Sequence, residues 1–203
     1  MSATLAGPGF HFQADFASRS CSGEFVSGDV AVIKPTHEGM FLGLADVLGH
    51  GREAAPLAAT IGDHMLRLAS DRPDIVLSKL HELCKGSRGA VCGMAHVAYG
   101  TGILRFAGVG NITIRVLGNA VPSRLPTHAG ILGGRMGEPR VHEMRLDRGA
   151  LVLMFSDGVR DRFKEDSYPQ MRLDPARMVA GKVIARFGRA HDDATCIALK
   201  VQR

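Results

Sequence analysis

The order of strands and helices in this sequence predicts an α+β fold built on antiparallel strands. Short apolar segments joined by glycine-containing turns predict two hairpins, one from residues 29–34 and 40–45 and one from residues 90–99 and 103–107. Apolar residues at helical spacing predict a helix over residues 52–70. Antiparallel hairpins combined with separate helices are typical of the α+β class.

The remaining elements follow from the same patterns. Residues 118–140 are rich in Gly and Pro, so we expect little regular structure there and place a candidate active-site loop in this stretch. A second helix begins at Pro73, because proline suits the first turn of a helix. Further strands are predicted at residues 10–19, 112–117, 141–146, 150–155 and 196–201, and a third helix at residues 175–187.

The composition is that of one folded domain, residues 1–203. Hydrophobic residues make up 45% of the chain and charged residues 22%, which argues against disorder. No segment approaches the roughly 18 apolar residues of a membrane span, so we expect a cytoplasmic protein that does not bind membranes. None of the four cysteines forms a CxxC pair, and we expect all four to be reduced and buried.

The chain carries a net charge of +5, and 17 of its 25 basic residues lie after residue 100. A solvated basic surface is the default interpretation, and attraction to an anionic partner is the functional one. Nucleic acid is a poor candidate for that partner, because there is no long Lys/Arg run and aromatic residues are only 5% of the chain.

Acidic residues recur at the ends of predicted strands. Asp46 and Asp157 each end an apolar strand just before a turn glycine, and Asp192 and Asp193 immediately precede the last strand. Asp29 begins the outgoing strand of the first hairpin, so the hairpin places it at the same end of the sheet as Asp46.

Each of these acids alone is an ordinary turn or cap residue. Together at one sheet edge they would repel one another and lose solvation, which makes bound cations necessary. Ligands that are all oxygen select hard ions, so the pattern predicts Mg²⁺ or Mn²⁺.

The acids lie within four short motifs. In chain order these are Ser27-Gly28-Asp29, then Ala45-Asp46-Val47-Leu48-Gly49-His50-Gly51 followed by Ala54-Ala55, then Phe155-Ser156-Asp157-Gly158-Val159, and Asp192-Asp193-Ala194-Thr195. Their order and spacing resemble the metal-dependent (PPM, type 2C) serine/threonine phosphatases. Within that family the chain is most similar to the bacterial branch of stress and sporulation regulators, and there to the short, stand-alone RsbX-like members.

The resemblance implies a sandwich of two antiparallel sheets flanked by helices in α/β/β/α layers, with two Mn²⁺ or Mg²⁺ ions at one end. By position in the motifs, Asp46 and Asp157 are the implied catalytic ligands, with Asp46 bridging the two ions. Asp29 and the Val47 carbonyl are further implied metal ligands. Asp192 and Asp193 compete for one ligand position, with Asp193 assigned to a supporting role.

Some family features are replaced here. The family often places His two residues after the bridging Asp, where this chain has Leu48. His50 is the nearest substitute, and Arg19 and Arg88 are the candidates for holding substrate phosphate. We therefore predict Arg19 and His50 as substrate-binding residues. The chain also lacks a flap subdomain before Asp157.

The resemblance implies a phosphatase that uses metal-activated water to hydrolyse phosphoserine or phosphothreonine on a regulatory protein of the STAS-domain, stressosome or anti-sigma-antagonist type. The alternative is a pseudo-phosphatase that binds its partner with little or no catalysis. A pseudo-phosphatase is expected to have lost ligand acids, and none is missing here.

Overall fold

A computed structural model describes residues 3–6 and 9–202. Within this part of the chain the strands are β1 (Ala3–Ala6), β2 (His11–Arg19), β3 (Asp29–Pro35), β4 (Gly39–Val47), β5 (Ala90–Ala98), β6 (Ile103–Val109), β7 (Thr113–Leu117), β8 (Ser123–Leu125), β9 (His142–Arg145), β10 (Leu151–Phe155) and β11 (Ala194–Val201). The helices are α1 (Gly51–Leu68), α2 (Pro73–Leu83) and α3 (Ala176–Phe187), and a short 3-10 turn covers Glu165–Ser167.

The strands form two antiparallel sheets that pack face to face. Sheet A has the order β1-β2-β11-β10-β7-β8, and sheet B has the order β3-β4-β5-β6-β9. Helices α1 and α2 cover the outer face of sheet B, and α3 covers the outer face of sheet A. The predicted α+β sandwich with helices outside is confirmed.

The continuous apolar strands are explained by this layering, because both faces of each central strand are covered. In β4, Met40, Leu42 and Leu44 face the core between the sheets, while Phe41 and Ala45 pack against α1 and α2. Strand β10 divides in the same way between the inter-sheet core and α3. The alternation of side chains along a strand therefore fills two cores at once.

Helix α1 lies close to sheet B because its buried face is made of small residues, including Ala54, Ala58 and Gly62. A Cβ atom at Gly62 would lie 2.7 Å from the Val30 Cγ2 atom of β3. The helix begins directly after β4, at the turn that follows Asp46 and Val47, so this close packing also fixes the position of that turn.

The structure adds two strands to those predicted. Strand β1 lies at the edge of sheet A, paired with β2, and β8 falls within residues 118–140, which were expected to be largely irregular. The other predicted elements are present with ends shifted by a few residues. The four cysteines are free and buried, as expected. Within the described residues, no helix has both the length and the apolar character needed to cross a membrane.

The turn after β10 has no room for a side chain at Gly158. A Cβ atom there would lie 1.8 Å from the Asp193 carbonyl oxygen and 3.1 Å from the Ala194 Cα atom. Both are backbone atoms of the segment that leads into β11, so neither can rotate away.

We therefore expect Gly158→Ala to lower the free energy of unfolding by about 1–3 kcal/mol, the usual cost of overpacking. Chemical denaturation would measure this. The matched control is Gly181→Ala, since Gly181 lies in α3 with open space around its Cα atom and should gain stability from a better helix former. Equal denaturation midpoints for wild type and Gly158→Ala would contradict the expectation.

Candidate metal centre

The predicted acids meet at one end of the sandwich. Asp29 and Asp46 are direct partners in the register of the β3–β4 hairpin, which confirms their predicted placement. Asp157 follows β10 by two residues and Asp192 precedes β11 by two, and these strands pair so that Phe155 lies opposite Cys196. Sheet B thus supplies two acids and sheet A supplies the others.

Burial and the charges of neighbouring acids raise the pKa values of three of these carboxyls, Asp29, Asp46 and Asp192. Burial is the largest cause raising the pKa of Asp46 to about 8, followed by the charges of Asp29 and Asp157. Burial also raises the pKa of Asp29 to about 7, although the hydrogen bond from Ser156 acts in the opposite direction. The pKa of Asp192 is raised by burial and then by the charge of Asp157. These shifts show that the acids share one electrostatic environment.

Ser156 connects the two sheets at this point. Its buried hydroxyl donates to the Asp29 Oδ2 atom at 2.7 Å and accepts from the Thr195 amide at 3.0 Å. This fixes Asp29 in one orientation and leaves its buried Oδ1 atom without a partner among the described residues. The sequence did not predict this role for Ser156, because the contact joins residues 127 positions apart.

Asp193 is held differently from the other acids. Its Oδ1 atom accepts from the Cys21 amide at 2.8 Å, and its Oδ2 atom accepts from the Gly28 amide at 2.6 Å. The carboxylate thereby joins the segment before β11 to the loop that leads into Asp29. Both oxygens already serve backbone donors, which fits the supporting role that the family resemblance implied.

Asn111 is a second residue whose role the sequence did not predict. Its amide nitrogen donates to the Asp157 Oδ2 atom at 2.8 Å. Asn111 follows β6 in the Val109-Gly110-Asn111 segment. Its position just after the end of a strand is the sequence feature from which this role could have been predicted. Asn111 orients Asp157 in the way that Ser156 orients Asp29.

The predicted substrate-binding residues lie at this end of the molecule, but each has a partner. Arg19 ends β2 opposite Ala194, and its guanidinium donates to the Arg189 carbonyl. The exposed His50 lies with its Nδ1 atom 3.3 Å from the Glu24 carboxylate. Val47 buries its side chain against the helices, and its amide donates to the Gly28 carbonyl at 3.1 Å.

The donor set fits a hard divalent cation. The buried Asp29 Oδ1 atom has no hydrogen-bond partner among the described residues, and the pKa values of Asp29 and Asp46 are raised, so a cation would be favourable here. Across residues 3–6 and 9–202, no three Asp, Glu, His or Cys side chains are already arranged to hold an ion.

Comparison with known proteins supplies the family. The model of Stage II sporulation protein E (SpoIIE) matches residues 36–202. The phosphoserine phosphatase RsbX of Bacillus subtilis (strain 168) is 22% identical over 150 residues, which are 73% of this chain and 75% of RsbX.

Solved structures share the fold. The structure of RsbX in complex with magnesium has a TM-score of 0.80 at 17% identity, with 100% of both chains covered. A chain from a study of the bacterial stressosome as a system adapted to control secondary messenger signaling has a TM-score of 0.85 at 24% identity, covering 93% of this chain and 99% of its own. The catalytic domain of the serine/threonine phosphatase PstP, in complex with two manganese ions, has a TM-score of 0.71 at 16% identity and covers 95% of this chain and 99% of its own.

The SpoIIE match spans most of the chain and includes the motifs of Asp46, Asp157 and Asp192, and the fold is that of the type 2C phosphatases. The chain therefore belongs to the SpoIIE family.

Proposed function

We propose that this protein is a metal-dependent phosphatase that hydrolyses phosphoserine or phosphothreonine on a regulatory protein. The observation that carries the proposal is the meeting of Asp29, Asp46, Asp157 and Asp192 at one end of the sandwich. The pKa values of Asp29, Asp46 and Asp192 are raised there. Family membership and the phosphoserine phosphatase activity of the relative RsbX support it.

The residues that would hold two Mn²⁺ or Mg²⁺ ions are Asp46, Asp29, Asp157, Asp192 and the Val47 carbonyl. Such ions would supply an acidified water as nucleophile and would neutralise charge on the phosphoryl oxygens. Relatives of this fold have been solved with magnesium or with two manganese ions, which supports the choice of cation.

The other residues of the site hold these ligands in place. Ser156 fixes Asp29, and Asn111 fixes Asp157. Asp193 positions the loop before Asp29 through two backbone amides. Hydrogen bonds of this kind to ligating carboxylates usually affect metal affinity or activity by about 10–100-fold.

For the substrate class, we propose a phosphorylated STAS-domain protein of a stress-signalling complex. The similarity to RsbX and to a chain of stressosome origin supports this class. The net charge of +5 suits a phosphorylated partner. A partner-binding protein without catalysis is the alternative that the first experiment separates from an enzyme.

That experiment is hydrolysis of p-nitrophenyl phosphate with Mn²⁺ and then with excess chelator. We expect Asp46→Asn and Asp157→Asn each to lose more than about 100-fold of the metal-dependent rate, because ligands matter more than their supporting contacts. Asp63→Asn, on the exposed face of α1, is the control and should keep the wild-type rate. A folded wild-type protein without turnover in any divalent metal would favour the partner-binding alternative.

Removal of one carboxylate should also stabilise the metal-free protein, and more so at high pH. The pKa of Asp46 is about 8 in the folded protein against an ordinary value of 3.8, so the folded state binds the proton more tightly. The protonated Asp46 carboxyl therefore favours the folded metal-free wild type at low pH. This contribution to the free energy of unfolding is lost progressively as pH rises from about 4 to about 8.

The measurement is the difference in melting temperature between Asp46→Asn and wild type in chelator, at pH 5 and at pH 9. We expect the variant to melt higher and the difference to widen at pH 9, where wild-type Asp46 is charged. A difference that shrinks with rising pH would show that burial of this carboxylate is not the destabilising feature.

Asp192 and Asp193 should respond differently to alanine substitution. Asp192→Ala should weaken Mn²⁺ binding in calorimetry with little loss of stability. Asp193→Ala should lower the melting temperature even in chelator, because it leaves the Cys21 and Gly28 amides without their acceptor. The reverse pattern would make Asp193 the ligand.

A further inference from the structure

A cleft of about 370 Å³ lies beside the metal centre, on the side of the turn that follows Asp46. It is lined by Glu24, Gly49, His50, Arg52, Glu53 and Arg88. None of the clustered acids lines it. A group bound in this cleft would therefore sit next to the reacting phosphoryl group and not on it.

Arg88 is a cation of the cleft whose guanidinium makes two hydrogen bonds. Its Nη1 atom donates to the Leu48 carbonyl at 3.1 Å, two residues after Asp46. Gly49 allows this approach, since a Cβ atom there would lie 2.7 Å from the same nitrogen. The guanidinium is therefore anchored to the turn that directly follows Asp46 and Val47.

The second nitrogen of Arg88 already holds a carboxylate. Its Nη2 atom donates to the Glu53 Oε2 atom at 3.0 Å, and the Glu53 side chain is 82% exposed. Such an exposed ion pair is weak, because water solvates both charges well. The contact shows that a carboxylate fits against Arg88, and a better-placed one could displace Glu53.

Arg52 is a second cation of the cleft, and within the described part of the chain its guanidinium makes no contact that an incoming anion would have to displace. It is exposed, and no described residue accepts a hydrogen bond from its guanidinium or pairs with it. The acidic side chains of the cleft are Glu53, on Arg88, and Glu24, whose carboxylate lies 3.3 Å from His50. Within the cleft the Arg52 guanidinium is therefore available to bind an anionic group of a substrate.

We propose that this cleft is a specificity subsite for an acidic side chain that flanks the phosphorylated residue of the substrate protein. Arg88 and Arg52 bind the incoming carboxylate, and Glu53 occupies its place when no substrate is bound. The planar guanidinium fork suits bidentate binding of a carboxylate. This inference rests on the proposed phosphatase function.

The test compares phosphoserine peptides that carry either Glu or Gln at the positions flanking phosphoserine. For each protein, the peptide kcat/KM is divided by the rate on p-nitrophenyl phosphate, which removes any general disturbance of the site. We expect the wild type to prefer the Glu peptides by about 10-fold or more, the size of one charge-assisted contact.

Arg88→Gln and Arg52→Gln should each reduce that preference, and Glu53→Gln should increase it because the competing carboxylate is gone. The control is Arg72→Gln, which removes a similar Arg–carboxylate pair, with Asp74, at the start of α2. It should leave the preference unchanged. The subsite proposal would be rejected if the wild type preferred neither peptide. It would also be rejected if all the variants kept the wild-type preference.

Failure of the proposed function gives a different result. In that case the wild type hydrolyses neither p-nitrophenyl phosphate nor peptides with any metal. Fluorescence anisotropy of labelled peptides on the wild-type protein then tests the cleft without turnover. The subsite proposal would be supported if the Glu peptides bound more tightly than the Gln peptides and if Arg88→Gln abolished this difference. Equal binding of Glu and Gln peptides would reject it.

Discussion

Electrostatic repulsion among half-buried carboxylates is the constraint around which this end of the molecule is organised. Two of the acids are attached to the scaffold by different contacts, Asp29 through Ser156 and Asp157 through Asn111. Without those contacts the acids would turn toward water, where their charges cost least. The scaffold thus keeps Asp46 near the charges of Asp29 and Asp157, which add to burial in raising the pKa of its carboxyl.

The sandwich is suited to this task because its two sheets contribute acids from opposite sides. The β3–β4 hairpin brings one pair, and the ends of β10 and β11 bring the others. The packing that sets the distance between the sheets also sets the distance between these acids. Core residues far from the site, such as Leu42 and Val152, therefore help to determine its geometry.

The features that the sequence predicted are local ones. The hairpin register that pairs Asp29 with Asp46 follows from two short apolar runs and one turn, and the acids at strand ends can be read from neighbouring residues. The implied type 2C sandwich is confirmed as well, but through the resemblance of motifs, since strand order alone did not specify it.

The features that the sequence did not predict depend on distant pairings. After β6 the chain crosses from sheet B to sheet A, although a continued meander would fit the periodicity equally well. The bond from Ser156 to Asp29 and those from Cys21 and Gly28 to Asp193 join residues more than 120 positions apart. Arg19 remains a predicted substrate-binding residue, and the contact of its guanidinium with the Arg189 carbonyl could not be foreseen from composition or spacing.

The position of β11 links assembly of the site to synthesis of the chain. This strand is the last in sequence, yet it lies between β2 and β10 in the middle of sheet A, and Asp192 and Asp193 lead directly into it. Contacts between such distant segments form slowly, because a long loop must close first. A nascent chain that has not yet exposed residues 192–201 lacks part of its acid cluster and the strand that joins β2 to β10. The acid cluster can therefore be complete only after translation has passed these residues, and a chain truncated before them would lack Asp192, Asp193 and the strand β11.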